Sequence, residues 1–257
     1  MTFRLSYPER VPDQRQLSLV VDELAAALKD AGSPDRAVHE KAYLKSDREH
    51  FGTSVPAMVK ITRRLLADPA LGGLDDRSTV LALVSEAWER GPHELRMAAV
   101  EVLTARMNLL EQDDIDLIER LVRDSGTWAL IDGIAPSVVW NLLARYPALE
   151  ARIDAWAVDP DFWLRRAALL AYLLPMRRGE AVFERFTSLA DPMLEEREFF
   201  IRKAIGWVLR ERTKLRPDEV FEWLLPRARR ASPLTLRQAG KHLGEERLAA
   251  LLRAHSG

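Results

Sequence analysis

Four tripeptides of the form Arg-x-small recur along the chain: Arg96-Met97-Ala98, Arg165-Arg166-Ala167, Arg202-Lys203-Ala204 and Arg237-Gln238-Ala239. Their intervals are 69, 37 and 35 residues. The first is about twice the others, so a further repeat is expected near position 131, where Ile131-Asp132-Gly133 stands. Periods of this size mark arrays of helical hairpins, in which equivalent positions line one shared surface. Asp132 then falls in one row with Met97, Arg166, Lys203 and Gln238. A single carboxylate in a row of cations points to chemistry on an anionic polymer: the cations hold the polymer, and the acid stabilises a developing positive charge or orients a water.

Trp128 lies one helical turn before Asp132, and Trp207 lies one turn after Lys203, so two indoles could frame the carboxylate. A plainer reading makes both tryptophans core residues and Asp132 a helix-start acid favoured by the dipole. Arg166, Lys203, Arg210, Arg237 and Lys241 recur at matched depths and suit successive phosphates. Arginines placed so can equally pair with acids of the neighbouring repeat. Trp163, Phe199 and Phe200 read as core. The five histidines, at 39, 50, 93, 242 and 255, show no metal-ligand spacing with a third donor nearby. No phosphate-binding glycine loop, nucleophile elbow or dinucleotide fingerprint occurs, so neither metal nor cofactor is expected.

The elements that must position these residues are helices. Apolar residues recur at helical spacing nearly everywhere, without the alternation of a sheet, which gives an all-α class. Helices are predicted at 17–31, 35–46, 55–67, 78–90, 93–107, 113–123, 128–146, 160–174, 180–190, 196–212, 217–229, 233–243 and 245–254. Proline and glycine punctuate them at Asp68-Pro69, Gly72-Gly73, Gly91-Pro92, Asp159-Pro160, Arg216-Pro217 and Ser232-Pro233. About six hairpins should form one C-shaped superhelical solenoid over 17–257, preceded by an extended arm over 1–16. The concave side of such a solenoid suits an extended partner.

The 257 residues include seven tryptophans and no cysteine, which excludes disulfides and thiolate chemistry. Net charge is −1, yet the segment from Trp163 onward carries 19 Lys or Arg against 12 Asp or Glu. A basic C-terminal half on a neutral chain fits a phosphate-contacting face. No apolar stretch approaches the roughly 20 residues of a membrane span and the first residues lack a signal-peptide centre. A cytoplasmic monomer without membrane attachment is expected.

Several stretches resemble the AlkD-type DNA alkylation repair glycosylases, a family built from HEAT-like helical repeats. The most distinctive is Phe199-Phe200-Ile201-Arg202-Lys203-Ala204-Ile205-Gly206-Trp207-Val208-Leu209-Arg210-Glu211. Trp163-Leu164-Arg165-Arg166-Ala167-Ala168, Lys41-Ala42-Tyr43-Leu44-Lys45 with Val55-Pro56, and Ala239-Gly240-Lys241-His242-Leu243 support it, so the resemblance spans about residues 35–245. It implies an active-site trio of Trp128, Asp132 and Trp207, with the family's active-site arginine at Arg166. Tyr43 joins Arg166, Lys203, Arg210, Arg237 and Lys241 in the DNA-binding set. One departure is Thr127, where the family often has an aromatic residue; it implies a changed pocket margin.

The resemblance also implies a reaction: hydrolysis of the N-glycosidic bond of a purine alkylated at N3 or N7 in duplex DNA, by a monofunctional enzyme. It implies no extrusion of the lesion into a tight pocket, and hence tolerance of bulky N3-adenine adducts. Two other functions share the fold, a non-catalytic binder of distorted or branched DNA and a protein-binding helical scaffold. The trio weighs against the first and the basic row against the second.

Overall fold

A computed structural model of the chain describes residues 14–68 and 76–257. The described residues are helices and their connections, and no strand occurs among them. None of these helices is long and apolar enough to cross a membrane. The chain divides into two compact units, one up to Glu111 and one from Gln112 onward.

The first unit contains α1 (Gln14–Asp30), α2 (Pro34–Leu44), α3 (Val55–Leu66), α4 (Arg77–Glu89) and α5 (His93–Ala105). Leu17, Val20, Val21, Leu24 and Leu28 recur at three- and four-residue spacing on α1 and are all buried, because that stripe packs on α3 and α4. Helix α1 begins at Gln14, three residues ahead of the sequence expectation, so 14–16 are helical rather than part of an arm. The rest of that arm and the Gly72-Gly73 break lie outside the described residues. Helix α2 buries none of its residues. It is tied down through its flanks, where Ser33 N donates to the Gly52 carbonyl at 3.2 Å. Gly52 has φ +76, and a Cβ there would run into the Ser33 carbonyl, so this backbone crossing requires glycine.

The second unit contains α6 (Ile115–Arg123), α7 (Trp128–Ile134), α8 (Trp140–Arg145), α9 (Glu150–Ala157), α10 (Phe162–Leu170), α11 (Leu173–Arg178), α12 (Phe183–Ala190), α13 (Phe199–Thr213), α14 (Pro217–Leu224), α15 (Pro233–Ala239) and α16 (Glu245–Ser256). The helices that carry the expected row are stacked in order, α7 on α10, α10 on α13 and α13 on α15. The small residue of the tripeptide explains the recurrence. Ala167, Ala204 and Ala239 are fully buried, since a larger side chain there would hold adjacent helices apart.

Hydrogen bonds and ion pairs between neighbouring repeats recur at the same period. Arg123 bonds Asp159 36 residues away, Trp156 bonds Glu119 37 away, Arg177 bonds Glu211 34 away and Arg227 bonds Asp191 36 away. Arg177 and Arg227, two basic residues of the C-terminal half, are thus paired with acids of a neighbouring repeat.

Two local departures have physical causes. The sequence reading omits α9, only eight residues between Pro147 and Asp159-Pro160, although Ile153, Trp156 and Ala157 have helical spacing and are buried. The expected helix 128–146 is continuous but widens into a π turn at Ala135–Val139. Pro136 lacks the N–H that would bond the Asp132 carbonyl one turn back, and its ring crowds that position, so the chain unwinds locally just after Asp132.

Candidate active site

Asp132 lies in the second turn of α7, beyond the reach of a first-turn dipole contact. Its position is fixed by Arg166 of α10. Arg166 Nε and Nη2 donate to Asp132 Oδ1 at 3.0 and 2.7 Å, and Nη2 also donates to Oδ2 at 3.0 Å. The third guanidinium nitrogen, Nη1, donates to the Phe200 carbonyl of α13 at 2.6 Å. One arginine thus links three consecutive repeats. Its side chain is 1% exposed, against 16% for Asp132.

Arg166 was expected to contact DNA, and in the structure its side chain is buried. All three nitrogens are engaged inside the protein, and the guanidinium is turned inward, away from solvent. Arg166 instead takes the part of an arginine paired with the acid of the neighbouring repeat, and the acid is the candidate catalytic one. A carboxylate has about four lone-pair sites. Arg166 fills two on Oδ1 and one on Oδ2, so Oδ2 keeps one for a partner from outside. Burial pushes the Asp132 carboxyl above its ordinary range, while the Arg166 charge and hydrogen bonds and the more distant Lys203 charge pull it down without cancelling the rise.

The indole of Trp128 opens α7 and is half-buried. Its helix is capped by Thr127, whose hydroxyl accepts from Ala129 N at 3.5 Å. Thr127 is itself buried, so it acts on the site by setting the start of α7 and not as an exposed pocket margin. Lys203 of α13 is exposed, with its ammonium 6.0 Å from the Trp128 ring centre and 5.7 Å from that of Phe199. Trp207, half-buried, follows Lys203 by one turn on the same face of α13. Between them Gly206 lies against α15: a Cβ there would stand 2.6 Å from the Gln238 Cβ and 3.1 Å from the Thr235 carbonyl oxygen.

The remaining sequence candidates separate. Arg237 and Lys241 are exposed, with no acidic partner among the described residues. Arg210 is half-buried and donates to Gln238 Oε1 at 2.9 Å. Tyr43 stands exposed on α2 in the first unit.

Beside the Asp132–Arg166 pair lies an aromatic cluster, of which Trp163, Phe199 and Phe200 were expected in the core. Phe162 and Trp163 have ring centres 4.3 Å apart, Trp163 and Phe200 5.0 Å, and Phe199 and Phe200 5.3 Å. Phe162, Trp163 and Phe200 are only half-buried, and Phe199 is 52% exposed. The repeat alignment carried the signal. Trp128, Phe162 and Phe199 each stand four positions before the row residues Asp132, Arg166 and Lys203, and an aromatic repeated there borders the same surface as the row.

The family model described as DNA alkylation repair enzyme matches residues 24–243. The chain belongs to the DNA alkylation repair enzyme family. That membership gives it a role in repair of alkylated DNA. Among solved structures, one described as a predicted DNA alkylation repair enzyme from Enterococcus faecalis is similar over 83% of this chain and 97% of that one, with TM-score 0.72 and 21% identity. At that identity the likeness concerns the helical fold. No curated protein matches the chain.

Proposed function

We propose that this member of the DNA alkylation repair family is a monofunctional AlkD-type glycosylase with HEAT-like repeats. It acts in base excision repair in the cytoplasm, as a monomer, and hydrolyses the N-glycosidic bond of N3- or N7-alkylated purines in duplex DNA. The observation that carries this reading is the Asp132 carboxylate. It is oriented by a buried arginine, retains an acceptor site on Oδ2, and shares its surroundings with Trp128 and Lys203.

Alkylation at N3 or N7 places a positive charge on the purine. When the C1′–N bond breaks, its electron pair passes into the ring and neutralises that charge, so the base leaves without needing a proton. The charge that must be stabilised appears on the sugar, as an oxocarbenium ion across C1′ and O4′. Asp132 either faces that cation or orients the water that adds to C1′, whose proton then leaves to the carboxylate or to solvent. One acid suffices, unlike the carboxylate pair of most glycosidases. The indole faces of Trp128 and Trp207 pack on the deoxyribose and attract its developing charge, each contributing about 0.5–2 kcal/mol.

Lys203, Arg237 and Lys241, with Arg210 and Tyr43, contact the DNA backbone, while Arg166 positions Asp132 from behind. Without enclosure of the lesion in a tight pocket, bulky N3-adenine adducts are accepted alongside methyl groups. Release of 7-methylguanine or 3-methyladenine from duplex DNA tests the reading. Asp132→Asn should lower release about 10²- to 10³-fold, the range for removing one preorganised electrostatic group, while DNA binding persists. Absence of release by the unmodified protein from both methyl and bulky lesions would leave a non-catalytic binder of distorted DNA.

A further inference from the structure

Histidines scattered in the sequence are brought together in the first unit. His50, in the 45–54 connection between α2 and α3, stacks on His93 at the start of α5, with ring centres 4.5 Å apart and planes at 16°. His50 is only 9% exposed, and neither of its ring nitrogens has a hydrogen-bond partner. A buried imidazole normally satisfies at least one nitrogen, and leaving both unpaired is costly. Two carboxylates flank it. Glu94, buried in the first turn of α5, accepts from Phe51 N at 2.9 Å through Oε2, and from Gly52 N at 2.6 Å and Thr53 N at 3.2 Å through Oε1. Glu40 approaches from α2, with Oε1 paired to Arg36 at 2.5 Å. One ligand atom from each of Glu40, His50 and Glu94 lies within 4.8 Å of the others.

From this arrangement we infer that Glu40, His50 and Glu94 form a binding site for one divalent first-row transition-metal ion, with Zn2+ as its probe. Two carboxylates balance the charge of the ion, and an imidazole ligates a metal through a ring nitrogen such as those His50 leaves unpaired. The chain has no cysteine, so nitrogen and oxygen donors are what it can offer. Three protein ligands and one water complete a four-coordinate ion. Metal–ligand distances of about 2.0–2.2 Å put tetrahedral ligands about 3.3–3.6 Å apart. Closure from the present spacing requires shifts of about 1.5 Å or less, and half-buried Glu40 can make its share by turning from Arg36. The other two ligands are preset, Glu94 by its three amide donors and the His50 ring by its stack on His93, the kind of outer support that metal sites depend on. The ion would fasten the 45–54 connection to α2 and α5, a structural role independent of the Asp132 site.

The test is calorimetric titration of the full chain with Zn2+, elemental analysis after dialysis, and the visible absorption of the Co2+-loaded protein. The expected result is one ion per chain, a melting temperature that rises with Zn2+, and a Co2+ band of low coordination number. His50→Asn and Glu40→Gln should each weaken binding at least tenfold and remove the thermal shift. Glu40→Gln alters a half-buried surface residue and serves if His50→Asn does not fold. Saturable binding that survives Glu40→Gln unchanged, a Co2+ spectrum like that of the hydrated ion, or no stoichiometric uptake would each overturn the inference.

Discussion

Replacing Arg166 by glutamine separates the two things this residue does. The guanidinium makes three contacts to Asp132 and one to the Phe200 carbonyl from a site that is 1% exposed. Removing one partner of a buried ion pair leaves the other charge uncompensated and costs about 3–5 kcal/mol. At about 2–4 °C per kcal/mol for a chain of this size, the melting temperature should fall by roughly 6–20 °C.

The kinetic consequence has a definite sign. Burial already holds the Asp132 carboxyl above its ordinary range, and Arg166 is the larger of the two influences opposing that rise. Without it the carboxyl moves further up, so fewer molecules carry the carboxylate at a given acidic pH. The acid limb of base release therefore shifts to higher pH, and the ratio of wild-type to variant rate grows as pH falls. Single-turnover release of 7-methylguanine across a pH series, at a temperature where circular dichroism shows both proteins folded, measures it. Arg166→Lys restores a charge but cannot reach Asp132 and the Phe200 carbonyl together, so it should recover part of the shift. A rate ratio that stays constant with pH, or an unchanged melting temperature, would refute the reasoning.

Three further outcomes are expected. Gly206→Ala forces a Cβ against Gln238 and Thr235; overpacking of about 1–3 kcal/mol should appear in urea denaturation, with slower base release because Trp207 is the next residue. Lys203→Ala should weaken binding of undamaged duplex and reduce the slope of log affinity against log salt by about one, as measured by anisotropy. Thr127→Ala removes the cap of α7 and should lower stability by about 1 kcal/mol, with a fall in release rate in the same variant marking displacement of Trp128.

The helical class and the row were legible because they rest on residues that report their neighbours. Ala167, Ala204 and Ala239 recur where helices touch, and their spacing alone placed Asp132 one repeat before Arg166. What was not legible depended on side-chain direction. Arg166 and Lys203 occupy successive positions of the same row, yet one turns inward to a carboxylate and the other outward between two aromatic rings. Composition does not distinguish them. Phe199 and Trp163 look like core residues by type, and their exposure follows from standing at helix starts on the same surface as the row. The His50–Glu94 neighbourhood joins residues more than forty positions apart through a loop with no periodicity of its own.

The bonding string from Asp132 through Arg166 to the Phe200 carbonyl also constrains how this gene can change length. Repeat arrays gain and lose whole units readily, because each unit needs only a compatible neighbour on either side. An in-frame loss of the unit carrying α10 would leave α7 to stack on α13, preserving a foldable array with one period fewer. It would also delete the arginine that holds the acid, and Asp132 would face Lys203 instead. The array is modular, whereas the string from Asp132 to the Phe200 carbonyl belongs to one fixed sequence of three units.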